Sequence, residues 1–122
     1  MNNKKIFAFL LMLVSPVIAG TDFDVSAVGT LDSQSPTTAI TTGEGSDGFT
    51  SNHTTLSLIF TVSKATTDFT VGDITVSNGA LSNFSITSTT VYTATLTPTA
   101  DGAVTIDVAA DLFTSSFGYN NI

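Results

Sequence analysis

Cysteine, tryptophan and arginine are absent from this 122-residue chain, and histidine occurs once, at His53. Without cysteine there are no disulfides, no thiol nucleophile, no iron–sulfur cluster and no Cys-ligated zinc. Without arginine, and with lysine only at Lys4, Lys5 and Lys64 against ten acids, the chain has a formal net charge of -7. A basic surface that neutralises nucleic-acid phosphates is therefore excluded. The length sets a ceiling of one domain. Long helical patterns are missing too: after residue 20 no window of eleven residues keeps a 3.6-residue period.

What is present begins with an address. Residues 1–20, MNNKKIFAFLLMLVSPVIAG, place Lys4 and Lys5 before the apolar run from Ile6 to Val14. Pro16 and the small residue Ala19 follow. This is the layout of a secretory signal peptide covering residues 1–19 and cleaved after Ala19. The run is too short to span a bilayer, which takes roughly 20 apolar residues. The expected destination is the extracellular medium or the cell surface, with the periplasm as the alternative and no membrane span after cleavage. Lipid anchoring at the cleavage site is excluded for want of a cysteine. Cleavage leaves ten acids facing Lys64 alone.

Residues 20–54 hold a Gly/Ser/Thr-rich stretch, TTAITTGEGSDGFTSN, that reads as loop or linker. Phe23, Val25 and Ala27 alternate near its start and suggest a first strand. From residue 55 the alternation is sharp. Leu56, Leu58, Phe60 and Val62 share one face, as do Val104, Ile106 and Val108. Tyr92, Ala94 and Leu96 alternate with Thr93, Thr95 and Thr97, and Pro98 closes that strand. Asn78-Gly79, between Ile74/Val76 and Leu81, reads as a hairpin turn, and Asp101-Gly102 as another turn. Leu112 and Phe113 are expected to close an edge. The 23 threonines, β-branched, favour pleated sheet over helix. Short strands with a turn every 8–12 residues define an all-β sandwich of about seven strands. Its core is expected to rest on Leu58, Phe60, Phe69, Phe84, Leu96 and Ile106.

In order, the alternating strand LSLIFTV, then DFTVGDITVSNG, LSNF, VYTATLTPTADG and VTIDVAA make residues 55–117 resemble one bacterial immunoglobulin-like module. That resemblance implies an immunoglobulin-like β-sandwich, with residues 55–122 as its core and part of 20–54 eligible to join. It also implies a non-catalytic structural or adhesive role in spacing and displaying other domains. The implied partners are other copies, neighbouring domains of a surface protein, a glycan or a cell-surface protein. One copy is present, without internal repeat, so the chain is either a free-standing module or part of a longer protein.

Chemistry-bearing motifs are sparse. No G-x-S-x-G elbow accompanies His53, which lies in a polar loop, and no catalytic residue or cofactor is assigned. Calcium is the one ion whose hard-oxygen preference the acids match, and Asp73, Asp101 and Asp111 are its candidate ligands. No EF-hand spacing supports them, and each fits a turn or cap equally well. The row Thr93, Thr95, Thr97 and Thr99 aligns hydroxyls that suit an outward-facing strand or a glycan-binding face. Tyr92 stands where immunoglobulin-like domains place a corner tyrosine that bonds backbone through its hydroxyl. Asn52-His53-Thr54 and Asn83-Phe84-Ser85 match the glycosylation acceptor pattern by chance.

Overall fold

Alternation becomes burial in the strand Leu56–Val62, where Leu56, Leu58, Phe60 and Val62 are buried and Ser57, Ile59 and Thr61 face out. The computed structural model describes residues 34–122 and the strand Ile6–Leu10. Among the described residues eight strands form two four-stranded sheets. In chain order they are β1 (Ile6–Leu10), β2 (Thr38–Thr42), β3 (Thr50–Ser51), β4 (Leu56–Val62), β5 (Thr75–Ser77), β6 (Gly79–Ile86), β7 (Val91–Pro98) and β8 (Gly102–Asp107). One sheet runs β2-β4-β7-β6 and the other β3-β1-β8-β5. Seven of these strands lie between Thr38 and Asp107, the number expected from the turn spacing.

Register explains the core. Antiparallel pairing of β4 with β7 sets Leu56 against Leu96, Leu58 against Ala94 and Phe60 against Tyr92. The next pairing sets Ile40 of β2 beside Phe60. Val104 and Ile106 of β8 supply the opposing sheet, and Phe69 and Phe113 enter from loops. A one-residue slip would turn each of these side chains to water, so the period-two pattern pins the register.

Four expectations change on contact with the structure. Thr38–Thr42 lies in the stretch that reads as linker, yet it is a strand five residues long with Ile40 buried. Its Thr-rich composition hides the single inward residue, and pairing with β4 supplies the rest. Asn78-Gly79 does not close a hairpin. β5 and β6 belong to different sheets, and Asn78 (φ 55°) turns the chain from one to the other. The side-chain amide of Asn78 donates to the carbonyls of Ala100 and Ala103 at 3.1 and 3.3 Å, tying the β7–β8 turn to this corner. Gly79 is needed for space, because a Cβ there would stand 2.8 Å from Leu96 Cδ1. Phe84 is only half-buried, at the margin of the core. Leu112 and Phe113 form no strand: Phe113 is buried in the core from a loop, and Leu112 is exposed.

Between Ser82 and Ser85 of β6 the ladder to β7 slips by one residue, a β-bulge with Asn83 at φ 52°. The bulge is written in the sequence as a parity break: Leu81 is odd-numbered, and the following apolar residues Phe84 and Ile86 are even. Other expectations hold as read. β7 ends at Pro98, and Gly102 has the positive φ (131°) that the Asp101-Gly102 turn demands. The expected strand at Phe23, Val25 and Ala27 lies outside the described residues. Within the expected leader, Ile6–Leu10 pairs in parallel with β8 and antiparallel with β3.

Candidate interaction surfaces

After β8 the chain makes an irregular excursion, residues 108–122, across one end of the sandwich. Polar groups hold it in place. Asn121, 1% exposed, accepts from the backbone N–H groups of Leu112 and Phe113 at 2.8 and 3.0 Å through Oδ1. Its Nδ2 donates to the Ala109 carbonyl at 2.7 Å. The Ser116 N–H donates to the Ala65 carbonyl and the Ile122 N–H to the Pro36 carbonyl, so the excursion is stitched to the segments flanking β2 and β4. Held this way, the loop turns Phe113 inward and leaves Leu112, Phe117 (67%) and Tyr119 (53%) exposed.

Asp68 is the second clamp on this end. Its carboxylate accepts from the Thr66 hydroxyl at 2.6 Å, the Thr114 N–H at 3.1 Å and the Thr114 hydroxyl at 2.8 Å. Desolvation pushes the carboxyl pKa upward, but the hydrogen bonds from Thr66 and Thr114 outweigh it and leave the pKa below the ordinary aspartate value. A depressed carboxyl pKa adds stability that is present above the unfolded pKa and lost as pH falls through the folded one. We therefore expect the melting temperature to fall on acidification below about pH 4, the ordinary aspartate range. Asp68→Asn should start lower at pH 7 and show a flatter acid limb, converging on the parent once the pH has fallen through the folded-state pKa of Asp68. Thermal scans from pH 7 to pH 2.5 check this, and two parallel curves would reject the role of Asp68. Nearby, the Tyr92 hydroxyl donates to the carbonyls of Thr66 and Thr89 at 3.1 and 3.3 Å, the corner contact expected from its position. Burial first, and then the Asp68 charge, raise the Tyr92 pKa.

The outer face of the β2-β4-β7-β6 sheet is a hydroxyl surface. Pairing aligns Ser82, Thr95 and Ser57 in one row and Ser85, Thr93 and Ile59 in the next. Thr41 of β2 extends the second row beside Ile59. Thr93 and Thr95 are half-buried and Thr97 is exposed, while Thr99 turns away to bond Asn78. The threonine row is thus three residues long on the face rather than four.

The candidate calcium ligands are not brought together. Asp73 accepts from the N–H and hydroxyl of Thr70 at 2.7 and 3.1 Å, bracing the 3-10 turn Val71–Asp73. Asp101 is exposed in the β7–β8 turn, and Asp111 accepts from the Asn120 amide at 2.9 Å. Among the described residues no three carboxylate or imidazole groups converge as a metal site would require. His53 is exposed, its N–H donating to the Ser51 hydroxyl. Asn52 and Asn83 are exposed, and the Asn83 amide reaches the Thr95 hydroxyl. A small apolar recess lined by Phe49, Leu56, Leu58 and Ile106, with Thr42, Ser46 and Asp47 at its sides, lies between the sheets. Sequence reading missed Asn121, because the polar stretch around it has no periodicity that marks a buried position. It also missed Phe117 and Tyr119 as a displayed pair.

Two antiparallel-rich sheets packed face to face, with a corner tyrosine and loops gathered at the sandwich ends, define an immunoglobulin-like β-sandwich. The family model of the bacterial Ig-like domain matches residues 32–122, and the chain belongs to that family. No curated protein and no solved structure matches it. The matched region starts before β2, so it takes in the strand Thr38–Thr42 as well as the core from residue 55.

Proposed function

We propose that this chain is a secreted or cell-surface structural module that catalyses nothing and works by spacing and display. The observation that carries the reading is the fixed loop at residues 108–122, which holds Phe117 and Tyr119 outward at one end of a rigid sandwich. An end-on apolar pair suits contact with a neighbouring domain or a surface protein, since aromatics dominate the buried centres of such contacts. The chain as a whole is acidic, ten acids against three lysines, which discourages unspecific contact with anionic cell surfaces. A leader of residues 1–19 supplies the route out of the cell.

The test is immunodetection with an antibody raised against the folded domain. Intact cells, culture medium and lysate of the source organism are compared. Signal on intact cells or in the medium is the expected result. Signal confined to the lysate would overturn the reading. A glycan array probed with the same domain and with Phe117→Ala/Tyr119→Ala separates adhesion to sugar from contact with protein: binding lost in the variant assigns the loop to glycan recognition instead.

A further inference from the structure

An asparagine side chain is lost most easily when glycine follows it, because glycine lets the next peptide nitrogen approach the side-chain carbonyl carbon unhindered. Of the seven asparagines in this chain only Asn78 precedes a glycine. Neither residue of the pair is free to change. Asn78 holds φ 55° at the corner between the sheets, a conformation few other side chains accept. Gly79 lies against Leu96 and Val76, and a Cβ there would stand 2.8 Å from Leu96 Cδ1 and 3.2 Å from Val76 Cγ1. The fold thus keeps a hydrolysable pair where it needs both residues. We propose that Asn78 is a site of one-way hydrolytic deamidation, held off by a hydrogen-bond clamp in the native corner, and that the modification, once made, opens that corner.

The step consumes only water. The Gly79 peptide nitrogen gives up its proton and attacks Cγ of Asn78. The new N–Cγ bond closes a succinimide ring, the Cγ–Nδ2 bond breaks, and Nδ2 leaves with the proton as ammonia. Water then opens the ring at either carbonyl and leaves aspartate or isoaspartate at position 78.

Ring closure requires Cγ to swing onto the Gly79 nitrogen, and the corner opposes that movement. Nδ2 donates to the carbonyls of Ala100 and Ala103 at 3.1 and 3.3 Å, and Oδ1 accepts from the Thr99 hydroxyl at 3.2 Å. The main-chain carbonyl of Asn78 accepts from the Thr99 N–H at 3.2 Å. Both polar atoms of the side chain are therefore bonded across to the β7–β8 connection, while Gly79 is fixed as the first residue of β6, opposite Pro98. These side-chain bonds must break before Cγ can turn, so the reaction runs through local openings of the corner. The product does not restore the clamp. A carboxylate has no proton to offer the Ala100 and Ala103 carbonyls and sets its charge against both. Isoaspartate also lengthens the main chain by a methylene at the crossing from β5 to β6. Each modified molecule stays loosened, so the corner records past opening.

The test holds the folded protein in mildly alkaline buffer at body temperature, beside a synthetic peptide of residues 75–82. Peptide mapping counts aspartate and isoaspartate at position 78 over time. We expect conversion at least about tenfold slower in the protein than in the peptide. Thr99 is exposed, and Thr99→Val removes the hydroxyl bonded to Oδ1. That variant should deamidate about threefold faster than the parent or more, while its melting temperature moves by less than about 2 °C. Asn78→Asp, which carries the hydrolysed side chain from the start, should melt about 5 °C or more below the parent. Should that variant fail to fold, the converted fraction of the parent, separated by ion exchange, is melted in its place. Equal rates in protein and peptide overturn the proposal. So does a Thr99→Val rate equal to the parent's, because the protection then lies outside the clamp. A hydrolysed corner that melts with the parent overturns the claim that the modification opens it.

Discussion

Phe69→Ala should remove about 3–5 kcal/mol of folding stability. That is a large fraction of what a domain of this size has, since native stability is typically about 5–15 kcal/mol. The side chain is 1% exposed and its ring meets four others: Tyr92 and Phe113 at 4.9 Å, Phe60 at 5.9 Å and Phe84 at 6.1 Å. Three of these contacts are near edge-to-face, the geometry in which ring pairs add stability beyond area burial. Position in the fold enlarges the effect. Phe69 lies on the connection between β4 and β5, outside any strand, so no backbone ladder holds the connection once the ring is gone. The same connection carries Asp68, which clamps Thr114, and Thr66, whose carbonyl receives the Tyr92 hydroxyl. A cavity there loosens two loops and a strand at once. Phe84→Ala, at the half-buried margin, should cost about half as much or less, because the site can collapse or admit water. Urea denaturation of the two variants measures both numbers. A loss below about 1 kcal/mol for Phe69→Ala would mean the ring is not the keystone of this core.

How far the sequence foretells this arrangement depends on whether information sits in a pattern or in a single residue. β4, β7 and β8 are legible because each alternates for six residues or more, and their inward sets pair as the register requires. Five of the six expected core residues are buried, and the corner role of Tyr92 follows from its place two residues before Ala94. β2 was hidden because only Ile40 is both apolar and large, and threonine serves strand and loop equally well. Asn78-Gly79 misleads for a different reason. The left-handed conformation that makes Asn-Gly a hairpin signal also suits a corner between sheets, and local sequence does not say which sheet the next strand joins. The bulge in β6 was written as a parity break from Leu81 to Phe84, a signal that a strict alternation template discards. Surface assignments were the least legible. The Asp residues offered as calcium ligands turn out to brace turns or lie apart, and their sequence neighbours, Thr70 for Asp73 and Gly102 for Asp101, already favoured that. Phe117 and Tyr119 sit on a turn closed by hydrogen bonds between Ser115 and Tyr119 and between Gly118 and Ser115, which no sequence pattern marks.

Asn121→Ala is the second large effect. The substitution strips partners from three backbone groups in one step: the N–H groups of Leu112 and Phe113 and the carbonyl of Ala109. A buried group left unsatisfied costs about 1–3 kcal/mol, so a total of about 3 kcal/mol is expected after partial relaxation. Asn121→Asp probes the same site more sharply. A carboxylate still accepts from the two N–H groups but has no donor for the Ala109 carbonyl and brings a charge into a buried position, so it should destabilise at neutral pH and recover partly in acid as the carboxyl protonates. The two variants also divide local from global failure. Asn121 and Asp68 together hold the backbone on either side of Phe113, so releasing the Asn121 anchor loosens a ring packed on Phe69. If the loop were an independent ornament, hydrogen exchange would rise at Leu112 and Phe113 while the melting temperature stayed put. Because Asn121 holds the backbone on both sides of Leu112 and the buried ring of Phe113 belongs to the core, we expect faster exchange in residues 109–113 together with a lower melting temperature.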